Sequence, residues 1–176
     1  MLDSEAILKF RCPRWDDLPA ESLFNREVVE YLSKTLSVLF AEDDFITQTI
    51  IQNYSKRGII PKLAGRKYER EHIAYLIIIL IYKQILSIDR VKQGVDLQLA
   101  LMPPAQAYNV FALALDQAIQ RTFKPVFDQD RYTIAAQPIE LNSEGVQVIA
   151  NAFALKLLGT IIIQAEGYRK VGGKDE

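Results

Sequence analysis

A chain of 176 residues, 49% apolar and 24% charged, can pack one domain, or one small domain plus an appendage, and this balance argues against a chain that is disordered as a whole. A single cysteine, Cys12, and a single histidine, His72, exclude an intrachain disulfide and a Cys- or His-rich zinc site. The net charge of −1 hides an uneven distribution: residues 48–92 hold nine basic and three acidic side chains, between an N-terminal stretch of net −5 and a C-terminal one of net −2.

The N-terminus has early acidic residues and no basic flank before an apolar run, unlike a signal peptide. The longest apolar run, Ile73–Tyr82, is ten residues long. That is short of the roughly 20 needed to span a bilayer. A cytoplasmic protein with no membrane partner is expected.

Residues 1–23 form a lead-in that contains Pro13-Arg14-Trp15 and Pro19. From Phe24 to Phe40, Val28, Leu32, Leu36 and Leu39 recur at the spacing of an amphipathic helix. Thr47 can cap a second, short helix from Gln48 to about Arg57, with Ile50, Ile51 and Tyr54 on one side and Gly58 ending it. Pro61 and Gly65 then predict a turn between extended arms at 59–60 and 66–68, a small β-hairpin or hairpin-like loop. From Glu69 the helix returns and is apolar on nearly every side, so Ile73, Leu76, Ile77 and Leu80 are expected at the centre of the core. His72, in its first turn, is expected to be exposed.

Ser87 can cap a further helix running toward Leu101, and Met102-Pro103-Pro104 ends it. Ala105–Phe123 is expected to be helical, residues 124–138 a loop, and the last helix runs from Asn142 or Ser143 to about Tyr168. Residues 171–176 are expected to be disordered. The order of elements predicts an all-α protein: a winged helix-turn-helix with a small wing hairpin over 24–101, followed by a helical region over 102–170.

In that order the short helix would enter a DNA major groove and the hairpin would reach the flanking backbone. Lys56, Arg57, Lys62, Arg66 and Lys67 supply cations for phosphates. Gln48, Thr49, Gln52 and Asn53 supply groups for base edges, and Tyr54 and Tyr68 offer hydroxyls while their rings pack on the fold. The bland alternative is a solvated basic face. On the last helix, Val146, Phe153, Leu157 and Ile161 share one side and are candidates for a homodimer interface, the alternative being a role in the protomer's own core. No phosphate loop, nucleophile elbow or kinase signature is present, and His72 has no partner at a catalytic spacing, so neither an enzyme, a metal site nor a cofactor is expected.

The stretch TQTIIQNYSKRGIIPK…RKYEREHIAYL resembles the DNA-binding domain of MerR-type regulators, at Tyr54, Gly58, Ile59, Ile60, Pro61 and Tyr68. More closely, the chain resembles the bacterial family known as domain of unknown function 1836. The resemblance rests on Pro13-Arg14-Trp15 with Leu18-Pro19, on Asn53 to Pro61 and on Lys67 to Leu76, and covers roughly residues 11–165. It implies a MerR-like fold and a role in transcription regulation, with double-stranded DNA as partner and no known operator or effector. MerR domains usually carry Arg at the position of Gln52, a second aromatic at that of Asn53 and a capping Ser at that of Glu69. The long coiled-coil arm of MerR dimers is not expected either, because no heptad is sustained. An interaction module that keeps the fold without binding DNA, and a small-molecule sensor using the C-terminal helices, are the alternatives.

Overall fold

Every regular element among the described residues is helical. The computed structural model describes residues 2–42, 44–129, 132, 134 and 138–165, and holds seven α-helices there with no strand. They are α1 (Ser4–Lys9), α2 (Asn25–Leu36), α3 (Gln48–Lys56), α4 (Arg70–Tyr82), α5 (Ile88–Leu99), α6 (Pro104–Gln129) and α7 (Glu144–Gln164). The all-α class is as expected. The tail at 171–176 lies outside the described residues.

One hydrophobic cluster joins these helices, from Ile7 of α1 through Leu32, Ile51, Leu76 and Phe111 to Phe153 of α7. α4 is its axis, touching α5, α6 and α7. As its composition requires, Ile73, Leu76, Ile77 and Leu80 are all fully buried. Leu76→Ala should therefore lower the unfolding free energy by about 2–5 kcal/mol, the cost of an unfilled core site. A urea midpoint equal to that of the wild type would contradict the central place of α4.

α7 is apolar enough and, at 21 residues, long enough to cross a membrane by length and composition alone. Here it packs mainly along α6, and Val146, Ala150, Phe153 and Leu157 are buried.

Three expectations are corrected. The wing is not a hairpin: residues 59–65 form bends and irregular chain, and the only backbone pairing of the segment is an antiparallel bridge between Tyr68 and Leu23 of the lead-in. Leu23 N donates to Tyr68 O at 2.9 Å, and Tyr68 N donates to Leu23 O at 2.7 Å. The second arm is thus claimed by the lead-in, and the first is drawn into the core through Ile59 and Ile60. His72 is buried rather than exposed, and its Nδ1 accepts from Glu69 N at 3.1 Å, closing the first turn of α4. Finally, α6 continues six residues past Phe123 and contains Pro125. A proline inside a helix costs about 3 kcal/mol. Burial of Thr122, Phe123 and Val126 against the core outweighs it.

Candidate nucleic-acid interface

α3 begins where Thr47 Oγ1 accepts from Ile50 N at 3.2 Å, the capping bond its sequence calls for. Asn25, at the start of α2, donates from Nδ2 to Gln48 O at 3.2 Å and ties the two helix starts together. The connection between them is braced by Phe40 and Phe45, stacked 4.1 Å apart. The helix ends at Gly58, whose φ of 63° lies in the left-handed region, and Ile59 N closes the end by donating to Tyr54 O at 2.9 Å.

This frame sorts the side chains. Ile51 is fully buried and anchors α3 to the core, while Gln48, Thr49, Gln52, Asn53, Lys56 and Arg57 are exposed. Residues one helical turn apart share a face, so 48, 49, 52, 53 and 56 form one solvent-facing polar stripe. The loop after the helix adds Lys62, Arg66 and Lys67, all exposed. The two tyrosines differ from the rest. Tyr54 is half-buried, and burial raises its phenol above the usual range, opposed by the nearby Arg57. Tyr68 is 5% exposed and serves mainly as a core residue, its ring edge-on to His72.

The cations are not equally free. Arg57 Nη2 lies 3.8 Å from Asp89 Oδ1, an exposed pair worth little. Lys67 Nζ sits 4.6 Å above the ring of Phe24, which is itself half-exposed. Lys83, at the end of α4, lies 5.9 Å from the Tyr54 ring, and burial pulls its ammonium below the usual lysine value. Lys56, Lys62 and Arg66 have no carboxylate partner among the described residues.

The candidates of the last helix lie elsewhere. Val146, Phe153, Leu157 and Ile161 are buried within the protomer, as the alternative role in its own core requires. The large apolar side chains that α7 leaves exposed are Val148 and Ile163.

The sequence did not point to Asp116, a buried residue of α6 that holds the lead-in. Its Oδ1 accepts from Cys12 N at 2.8 Å and its Oδ2 from Arg14 Nη2 at 2.7 Å. Asn109 Oδ1 accepts from Trp15 N at 2.8 Å, and Gln120 Nε2 donates to Leu8 O at 2.6 Å. The available signal was the row Asn109, Asp116 and Gln120, polar side chains at helical spacing on a helix otherwise rich in apolar residues. The Pro13-Arg14-Trp15 motif is thus a clasp. Cys12, just before it, is buried, and burial pushes its thiol up to about 12, which leaves it inert near neutral pH.

These features combine in a helical domain with an exposed polar helix and a basic loop beside it. A family model described as Domain of unknown function (DUF1836) matches residues 13–111, more than half of the chain, and the protein belongs to that family. The match takes in the clasp motif, α2 to α5 and the start of α6. Comparison with curated proteins and with solved structures gave no match.

Proposed function

We propose that the protein is a DNA-binding transcription regulator of MerR-like helix-turn-helix type. α3 lies in the major groove and the 59–68 loop lies on the neighbouring phosphates. The observation that carries this is the exposed stripe of α3 running into Lys56, Lys62 and Arg66, cations with no carboxylate partner among the described residues. A merely solvated face of a chain with net charge −1 gives no reason for that concentration. The loop needs no hairpin for this role, because phosphate contact asks only for cations at the right place. Recognition of two half-sites calls for a homodimer. Its interface would use surface other than the buried face of α7, and Leu97, Leu101, Leu113 and Leu141 are large apolar side chains left exposed around α5 and α6.

The test is fluorescence anisotropy on random duplex and on the duplex upstream of the protein's own gene, at several salt concentrations. The logarithm of affinity should fall against the logarithm of salt with a slope of about −3 if three cations per protomer act, and about −4.5 if all five do. Gln52→Ala or Asn53→Ala should remove preference among sequences, at roughly 1–3 kcal/mol for each lost bidentate contact, and leave the slope unchanged. No salt-sensitive affinity for any duplex would sink the proposal and leave the basic face to an acidic protein partner. Sedimentation of the complex at two protomers per duplex checks the dimer.

A further inference from the structure

A cleft with a free volume of about 470 Å³ opens between the α2–α3 connection, the end of α4 and α7. That volume lies within the roughly 300–1,000 Å³ of sites that hold small molecules. The wall is mixed. Leu2, Phe40 and Ile50 are half-buried and present apolar surface to it, beside the buried Leu39 and Leu157. Lys83, Gln84 and Lys156 add polar groups.

The charges of the wall are not equivalent. Glu42 and Asp44 border the cleft, but both are exposed, so water solvates and screens them. Lys156 is exposed as well, and its Nζ donates to Gln84 Oε1 at 2.8 Å. Lys83 differs: it is half-buried and has no carboxylate partner among the described residues. Its Nζ lies 5.9 Å from the ring of Tyr54. Tyr54 follows Ile50 by one turn of α3, so the ammonium sits beside the wall that Ile50 forms. Burial has taken part of its hydration, which pulls its pKa below the usual lysine value. A cation in that state gains more from a carboxylate than a fully solvated one does, because the desolvation has already been spent.

We propose that this cleft binds a small monocarboxylate with an apolar tail, the carboxylate accepting from the Lys83 ammonium and the tail lying on Phe40 and Ile50. The binding stands whether or not the protein binds duplex, although Ile50 sets the tail against the inner side of α3.

Octanoate and octanol, which share a tail, are titrated against the full chain with its Ile and Leu methyl groups labelled, and the methyl signals are followed by NMR. Octanoate should shift the Leu2, Ile50 and Leu157 methyls saturably. The methyls of Leu97 and Leu101, exposed on and just after α5, should stay in place. Lys83→Met keeps an apolar stem and removes the charge. It should weaken octanoate about tenfold, the effect of one lost charge-assisted hydrogen bond, and leave octanol unchanged. Its thermal melt should match that of the wild type, which separates a lost contact from a lost fold. No saturable shift with octanoate would overturn the proposal, and so would equal affinity of octanoate for wild type and Lys83→Met. Shifts at Leu97 and Leu101 as large as those at Ile50 would mean that the tail adheres to any exposed apolar surface, and would overturn it too. Octylammonium binding in preference to octanoate would assign the cleft to Glu42 and Asp44 instead.

Discussion

Replacing Lys56, Lys62 and Arg66 together by alanine should lower duplex affinity by roughly two to three orders of magnitude at about 0.1 M salt and flatten the salt slope by about 2.7 units. The reason is mass action on counterions: each cation that meets a phosphate releases close to one condensed ion, and three such contacts would be lost. These three side chains are exposed and have no carboxylate partner among the described residues, so the fold should tolerate their loss within about 0.5 kcal/mol. A thermal melt of the triple variant checks that point and separates lost contact from lost structure. Lys67→Ala should cost less binding than any of the three, since its ammonium already rests on the Phe24 ring. If the wild type binds duplex with a steep salt slope and the triple variant matches it, the phosphates meet another surface and α3 is not the reading helix.

How much of this was legible before the coordinates depended on the range of the interaction. Local signals carried well. Thr47 caps α3 and Gly58 ends it because capping and left-handed φ are decided within four residues. The apolar run of α4 could have no place but the core. Long-range choices were hidden. Tyr68 pairs with Leu23, 45 positions away, rather than with Ile59–Ile60 across the turn, and nothing in the sequence of either arm ranks those partners. Pro125 has the local preference of a breaker, overridden by burial of Phe123 and Val126 on either side. The polar stripe of α3 follows from helical spacing. That Lys67 is engaged does not, because the decisive neighbour, Phe24, comes from another element.

Arg14→Ala should lower the unfolding free energy by about 2–3 kcal/mol, because it strands the Asp116 carboxylate inside the protein. The side chain of Asp116 is 8% exposed and that of Arg14 38% exposed, so the pair is only half removed from solvent, and the full penalty for breaking a buried ion pair does not apply. The carboxylate keeps its bond from Cys12 N, which limits the loss further. Asp116→Ala should cost a similar amount by a different route, leaving the buried Cys12 amide unpaired and freeing the guanidinium. The double variant is the decisive measurement. Once the carboxylate is gone, removing Arg14 strands no charge, so the two costs should fall short of adding by about 1 kcal/mol or more in urea unfolding. Trp15 adds a local readout: its amide is held by Asn109, one residue beyond the pair, and its emission should move toward that of solvated indole below the global transition if the clasp opens first. Strict additivity would mean that the lead-in is held by the burial of Ile7, Phe10 and Leu18, and that the Arg14–Asp116 pair is incidental to it.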